Sequence, residues 1–360
     1  MKNLFWNAGE KRLRTFWRLV IFLILLAGLM FGFTLLVQLI NTVVLLAGHQ
    51  WNTAVLSNPA QNVAFGGILP LIRSINGLLT LAVILGASAL AGRLLDRRSF
   101  TDFGFHFGRQ WWSDLGFGLA LGAVLMALIF GVEYAAGWVQ ITASPTNQYP
   151  EWSFTAWIFS NGFFYLCVGI YEELVSRGYL LRNLAEGLRI ARVQPKTAVL
   201  IAYLISSSVF GLLHLGNPNA SLISTLNLVL AGLFLGLGYA LTGELGISIG
   251  LHITWNFFQG VVFGFPVSGT SSVASLIGIQ QLGPDWMTGG AFGPEAGVMG
   301  LAAMAIGFGM VWLWVIRTRG KAPLREELAV YAAPQAPEGP QALEGAGGTS
   351  TQADVSVSAD

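Results

Sequence analysis

The sequence predicts an all-α protein, a polytopic membrane helix bundle with about eight transmembrane helices and both termini in the cytoplasm. Composition is the first reason, because 54% of the 360 residues are hydrophobic and only 10% are charged, whereas soluble domains carry about 25% charged residues. The second reason is a series of apolar stretches, each close to the roughly 20 residues that a helix needs to cross a bilayer. The third is the distribution of Lys and Arg between these stretches.

Eight stretches with few or no charges are candidate transmembrane helices. In chain order they are Leu19–Gly48, Ser74–Gly92, Leu115–Gly131, Ser153–Tyr171, Thr197–Leu215, Ser221–Thr242, Leu245–Phe265 and Ala296–Ile316. The third continues past Glu133 to Trp138. Pairs of glycines four residues apart, such as Gly118 and Gly122, are typical of membrane helices that pack closely.

The cations indicate the number of crossings, since Lys and Arg accumulate in cytoplasmic loops. They cluster before the first helix and after the second, fourth and eighth, while the connections at 49–62, 139–152, 216–220 and 266–295 have none. Eighteen of the 19 cations therefore fall on one side, with Arg73 as the exception. This distribution predicts an even number of crossings in the cell (cytoplasmic) membrane.

Three regions follow from this pattern: a basic cytoplasmic N-terminus at 1–18, an eight-helix transmembrane core at 19–316, and a cytoplasmic tail at 317–360. The tail is expected to be mostly disordered because its end is rich in Pro, Gly, Ala and Ser. The net charge of +1 would not attract nucleic acid, so membrane lipid is the partner that composition predicts. The single Cys167 excludes a disulfide framework and a thiolate zinc cluster.

Ionisable and amide side chains inside the apolar stretches are the candidates for function, because a bilayer disfavours them. The principal ones lie on the fourth, fifth and seventh helices: Glu172, Glu173 and Arg177; His214; and His252 with Asn256. Glu173 and Arg177, four residues apart, share a helix face and can form an ion pair. Glu172 points about 100° away and stays free for chemistry.

Helical spacing also places His252 with Asn256, and Phe210 with His214, on common faces, so that three helices can direct their polar groups to one point. A glutamate can take a proton from water, and an amide can stabilise an oxyanion. Two histidines with a carboxylate can hold Zn or another divalent metal, which makes His214 and His252 candidate metal ligands. The same residues can also act without a metal.

Each of these residues also has a structural interpretation. An intramembrane histidine often makes only a helix–helix hydrogen bond, and Glu173 with Arg177 can be an ordinary salt bridge. Glu133, near the outer end of the third helix, and Glu244, at a turn, are expected to be structural. As a set, the polar residues also fit a non-enzymatic membrane protein, such as a proton-coupled transporter or an immunity or scaffold protein, although no repeat typical of transporters is visible.

Three motifs that occur in a fixed order make the chain similar to a known protein family. Glu172-Glu173-Leu-Val-Ser-Arg177 matches EExxxR, Phe210-Gly-Leu-Leu-His214 matches FxxxH, and His252-Ile-Thr-Trp-Asn256 matches HxxxN. With these motifs, which cover residues 172–256, the chain resembles the CPBP family of intramembrane proteases, also called CAAX proteases and bacteriocin-processing (Abi) proteins. The eukaryotic members cleave the last three residues from prenylated proteins.

The resemblance implies an intramembrane endopeptidase that acts from the cytoplasmic side on peptide or protein substrates, with lipid-modified substrates as one option. It implies that Glu172 activates water, that His214 and His252 are its partners as metal ligands or water-positioning groups, and that Asn256 supports the oxyanion. The supporting residues are Glu173, Arg177 and Phe210. For Arg177, two roles stay open: ordering the site or holding a substrate carboxylate.

Depth in the membrane presents a difficulty for a shared site. On the predicted spans, Glu172 lies near the inner end of the fourth helix and His214 near the outer end of the fifth, which separates them by more than about 10 Å along the bilayer normal. We therefore expect the fourth helix to run unbroken from about Trp152 to about Arg189. Glu172 would then lie near mid-membrane, in a cavity that holds water.

Overall fold

The computed structural model of the chain describes residues 4–47, 69–148, 153–190 and 192–332. Eight long helices account for most of them: α1 Thr15–Ala47, α2 Leu69–Ala91, α3 Arg109–Ala135, α4 Phe154–Leu188, α5 Pro195–Leu213, α6 Leu222–Thr242, α7 Gly246–Asn256 and α8 Val298–Arg319. Turns of π-helix prolong α2 over Gly92–Asp96 and α7 over Phe257–Val262. The predicted all-α helix bundle is confirmed.

Among the described residues, seven helices are long and apolar enough to cross a membrane, which makes the chain a multi-pass membrane protein. The helix below this length is α7, which with its π-helical turn covers Gly246–Val262 and is shorter at its C-terminal end than the predicted Leu245–Phe265. It lies in the interior of the bundle, where most of its residues are buried. The orientation of the termini stays a prediction.

The expected long fourth helix is present. α4 runs without a break over 35 residues, Phe154–Leu188, and contains a π-helical stretch over Leu174–Leu181. At about 1.5 Å per residue it is far longer than a bilayer core, and its centre carries the two adjacent glutamates. Stretches of π-helix inside α-helices are often found at functional sites, and this one begins directly after Glu173.

Glycines let α7 pack directly against the backbones of its neighbours. A Cβ atom at Gly118 of α3 or at Gly250 of α7 would overlap backbone atoms of the facing helix, so the glycine pairs expected to mark close packing do so between these two helices. On the other side of α7, a Cβ at Gly169 of α4 would lie 2.6 Å from Ile253 Cγ1. These contacts hold α7 between α3 and α4.

The cation-rich segments meet at one end of the bundle. Arg12 and Arg18 are buried there and contact Glu186, at 2.8 Å and 3.4 Å, and Arg18 also lies 2.5 Å from Asp96. Arg98 pairs with the same Glu186. The predicted clustering of cations on one side therefore corresponds to a buried ion network that connects the N-terminal segment to α2 and α4.

Short antiparallel strands connect two loops at the opposite end. β3 (Val139–Ala143), after α3, pairs with β6 (Gly278–Gln281), and β4 (Thr146–Asn147) pairs with β5 (Ala274–Ser275). The long connection between α7 and α8 is thereby fixed over the end of the bundle that lacks the cation cluster. We call residues 263–297 the α7–α8 connection.

Both terminal regions are more structured than sequence reasoning expected. A small hairpin of β1 (Trp6–Asn7) and β2 (Arg12–Leu13) precedes α1, which begins at Thr15. After α8, the chain returns to the helix ends and buries Leu328 and Ala329. The prediction of a disordered tail end, over 333–360, lies outside the described residues.

Candidate active site

The two adjacent glutamates of α4 have different surroundings, as their 100° separation on a helix requires. The Glu173 side chain is fully buried, whereas the Glu172 side chain is 27% exposed and lines a cavity. Glu172 has no cation within direct hydrogen-bonding distance among the described residues. The expectation that one carboxylate is neutralised while the other stays free therefore agrees with the geometry.

A single carboxylate oxygen of Glu173 organises the buried side of the site. Its Oε1 accepts a hydrogen bond from Arg177 Nη1 at 2.8 Å and another from His252 Nδ1 at 2.8 Å. Arg177 also donates from Nη2 to the carbonyl of Gly232 at 2.7 Å, and its guanidinium lies 4.6 Å from the Phe210 ring centre. The guanidinium of Arg177 therefore contacts residues of α4, α6 and α5. These contacts favour a role in ordering the site over a role in holding a substrate carboxylate.

The proton position on His252 follows from this contact. The carboxylate of Glu173 can only accept, so Nδ1 of His252 carries the proton that it donates. In the neutral ring, Nε2 is then an unprotonated acceptor. It lies 3.9 Å from Glu172 Oε2, which is too long for a direct hydrogen bond and suits a bridging water.

His214 is held in a similar way at the C-terminal end of α5. Its Nδ1 lies 2.8 Å from the carbonyl oxygen of Phe210, which can only accept, so Nε2 is again the free acceptor in the neutral ring. The imidazole also packs on the Phe210 ring, at 4.9 Å between ring centres. Phe210 thereby contacts three site residues: Arg177, His214 and His252.

One cavity of about 240 Å³ brings the predicted catalytic residues together, with space for several water molecules. Its polar lining includes Glu172, His214, His252 and Asn256. Asn256 lies one helical turn beyond His252, at the point where α7 becomes π-helical. All four residues that sequence reasoning proposed for catalysis thus line the same cavity.

The cavity reaches the end of the bundle that lacks the cation cluster. Asn217, after α5, and Ser268 of the α7–α8 connection line it, and the Asn217 amide donates to the Ser268 carbonyl at 2.9 Å. The side of the membrane from which a substrate enters stays a prediction.

Glu295 is a cavity residue that sequence reasoning missed. It is buried at the end of the α7–α8 connection and accepts hydrogen bonds from the Ser268 backbone and hydroxyl and from the Gln259 amide. Burial raises the pKa of Glu295 to about 7. Its signal in the sequence is weak, because it belongs to no motif and only folding brings it back to α7.

Arg73 is the second cavity residue that was missed. It lies on α2 and lines the cavity together with Glu172 and His252. The sequence distinguished it only as the one cation outside the charge pattern. Two other carboxylates of the apolar stretches lie outside the cavity. Glu133 is buried in α3, where neither of its carboxylate oxygens has a hydrogen-bond partner in the described part of the chain. Glu244, at a turn, contacts His106 at 2.7 Å.

The described residues do not fit a three-ligand metal site. No group of three or more His, Cys, Asp or Glu side chains in this part of the chain has the arrangement to hold an ion, although structural and catalytic zinc sites use at least three protein ligands. His214 and His252, the predicted ligands, each direct one ring nitrogen to a protein acceptor. A bound Zn stays a prediction of the sequence.

Comparison with known families gives one match. The family described as "Type II CAAX prenyl endopeptidase Rce1-like" matches residues 150–258, a range that contains all three motifs and every catalytic candidate. The match confirms the resemblance to the CAAX protease family and supports an intramembrane endopeptidase. No curated protein and no solved structure matches the chain.

Replacement of Arg177 by methionine is expected to destabilise the fold. The change leaves the buried Glu173 carboxylate without its cation, and breaking a buried pair in this way costs about 3 kcal/mol or more. Thermal unfolding of the purified protein in detergent measures the effect. The matched control is Arg189→Met, an exposed residue directly after the end of α4. Equal unfolding temperatures for the two variants would show that the pair does not hold the site.

Proposed function

Starting from the Rce1-like match, we propose that this chain is an endopeptidase that cleaves peptide bonds within the membrane by means of a water molecule activated by Glu172. The observation that carries the proposal is the difference between the two glutamates. Glu173 accepts hydrogen bonds from Arg177 and His252, while Glu172 lines a cavity together with two histidines and an amide. A free carboxylate beside a water-sized gap is the arrangement that general-base catalysis requires.

The proposed reaction begins with a water between Glu172 Oε2 and His252 Nε2, whose separation of 3.9 Å leaves room for one bridging molecule. Glu172 removes a proton from this water, and the oxygen attacks the carbonyl carbon of the peptide. Nε2 of His252 accepts the water's other hydrogen bond and fixes its direction. Protonated Glu172 then gives the proton to the departing amine nitrogen, which completes cleavage and restores the carboxylate.

Asn256 and His214 have supporting roles in this proposal. The Asn256 amide can donate a hydrogen bond to the oxyanion that forms when water attacks, an interaction whose loss typically lowers rates a hundredfold or more, as an order of magnitude. His214 faces the same cavity and can orient water or the peptide through its free Nε2. Neither role needs a metal, although both histidines remain the residues that would hold a Zn ion if one binds.

The surroundings of the cavity suit an apolar substrate segment. A neighbouring groove shares Glu172 and His214 with the cavity and is otherwise lined largely by apolar residues of α1, α2, α4 and α5, including Leu26, Ile84 and Val175. A hydrophobic peptide segment or a lipid-modified one could lie in this groove beside the catalytic carboxylate. Membrane lipid and a peptide or protein substrate are therefore the proposed partners.

Replacement of Glu172 by glutamine is expected to abolish peptide cleavage while the protein stays folded. Glutamine keeps the shape but cannot take the proton, and loss of a general base lowers rates by about 100- to 10,000-fold. The assay is cleavage of an internally quenched peptide library by the purified protein in detergent. The control is Glu326→Gln, an exposed glutamate in the segment after α8.

Two results would contradict this proposal. One is cleavage at the unmodified rate by Glu172→Gln. The other is the absence of cleavage by the unmodified chain together with proton flux in vesicles that Glu172→Gln removes, which would favour the non-enzymatic alternative of a proton-coupled transporter.

Removal of divalent metals is expected to leave cleavage unchanged, because the proposed steps use only protein groups. The protein is dialysed against a strong chelator, its metal content is determined by elemental analysis, and its activity is compared with an untreated sample. Loss of cleavage that returns on addition of Zn, with close to one Zn per chain, would instead assign His214 and His252 as metal ligands.

A further inference from the structure

Glu295 ties the end of α7 to the α7–α8 connection through both of its carboxylate oxygens. Oε1 accepts hydrogen bonds from the backbone amide of Ser268 and from its hydroxyl at 3.1 Å, and Oε2 accepts one from Gln259 Nε2. Gln259 is buried, and its Nε2 also donates to the carbonyl of Pro266 at 2.5 Å. One buried carboxylate thereby connects the π-helical turn after α7 with the lining of the cavity.

The turn that Glu295 holds is the one that follows Asn256. Asn256 is the last α-helical residue of α7, and Gln259 lies three residues later, within the π-helical turn over Phe257–Val262. Helix ends fray where nothing fixes them. The hydrogen bonds of the Gln259 amide to Glu295 and Pro266 fix this end directly beyond Asn256, which lines the cavity.

We infer that ionised Glu295 is a positioning residue, which acts through Gln259 to hold the end of α7 so that the Asn256 amide is directed to the reacting peptide. This inference rests on the proposed peptidase function, in which Asn256 supports the oxyanion. Such a group has to be held by surrounding hydrogen bonds, since a displacement of about 1 Å can lower a rate about a hundredfold.

The arrangement requires the ionised form of Glu295, because a carboxylate only accepts hydrogen bonds. A proton on Oε2 would face the amide nitrogen of Gln259, and a proton on Oε1 would face the backbone amide of Ser268. Gln259 cannot adapt by turning its amide over, since its oxygen would then face the carbonyl of Pro266. Burial raises the pKa of Glu295 to about 7, so these contacts are weakened as the pH falls through about 7.

Few titratable groups face Glu295 in the described part of the chain. From α4, Tyr165 interacts with its charge and forms a hydrogen bond with Ser272 of the α7–α8 connection. From α6, the neutral amide of Asn227 donates to the carbonyl of Ala296 at 2.8 Å. The other titratable groups that line the cavity are Arg73, Tyr171, Glu172, His214 and His252. All of them are also present in a Glu295 variant, so a comparison with the unmodified chain isolates the titration of Glu295.

Replacement of Glu295 by glutamine is expected to lower kcat by about ten- to a hundredfold at about pH 8, with little change in KM. Glutamine at 295 presents a donor to the Gln259 amide and so imitates the protonated carboxyl. The ratio of kcat between the unmodified chain and the variant should therefore rise with pH, with its midpoint near pH 7. Glu326→Gln, at an exposed position after α8, should match the unmodified chain at every pH.

A double-mutant cycle tests whether Glu295 acts through Asn256. Asn256→Ala alone is expected to lower kcat by about a hundredfold, and addition of Glu295→Gln should then lower it little further, because the two residues serve one function. If the two losses of kcat instead multiply, Glu295 does not position Asn256 and the inference is overturned.

Two measurements on the full chain carrying Glu172→Gln do not depend on cleavage. In difference infrared spectra, the carbonyl band of a protonated carboxyl should disappear as the pH rises through about 7, and this band should be missing when Glu295→Gln is added. In hydrogen exchange at one fixed pH, Glu295→Gln should speed exchange of the Ser268 amide, which donates to Glu295, whereas Glu326→Gln should not.

Unchanged kcat in Glu295→Gln overturns the inference, and so does a kcat ratio that stays constant with pH, because a purely structural role would lower activity at every pH. If the infrared band and the exchange of Ser268 behave as expected while the unmodified chain cleaves no peptide, the ionisable contact is retained, and the peptidase function is rejected together with the positioning role.

Discussion

A buried carboxylate with two donors on one oxygen is the interaction on which the rest of the site depends. Glu173 receives Arg177 from its own helix and His252 from α7, and Arg177 reaches on to the backbone of α6. Because the carboxylate can only accept, it determines which nitrogen of His252 carries the proton. A charge pair that would otherwise be unfavourable in an apolar interior thereby orients the imidazole that faces Glu172.

The length of α4 and the close packing of α7 bring Glu173 and His252 into contact. α4 extends well beyond a bilayer's thickness and carries its glutamates at mid-length, which removes the apparent mismatch in depth with the end of α5. α7 is short and lies against α3 and α4 through glycines that admit no side chain. The α7–α8 connection brings Ser268 and Glu295 back to the cavity. Catalytic chemistry inside a membrane needs such a cavity with polar groups in its lining, since lipid offers no partners for polar groups.

The sequence predicted the helices and the three motifs because both depend on local spacing: apolar length defines a span, and four-residue intervals define a helix face. It could not decide between the two roles of Arg177, because the deciding contact is a carbonyl of α6, 55 residues away. Arg73 and Glu295 were missed for the same reason, since each is distant in sequence from the motifs and joins them only through tertiary packing. The length of α7 was overestimated because apolar composition continues past the point where the backbone leaves the helix.

The protonation state of His252 tests this account most directly. Nitrogen NMR of the protein with labelled histidine resolves which ring nitrogen carries a proton, and the chain has only 4 histidines, so the His252→Gln variant assigns the signal. The account predicts a neutral ring with the proton on Nδ1, donated to Glu173, and a bare Nε2 directed to the cavity. A proton on Nε2, or on both nitrogens, would leave no acceptor for water beside Glu172 and would contradict it.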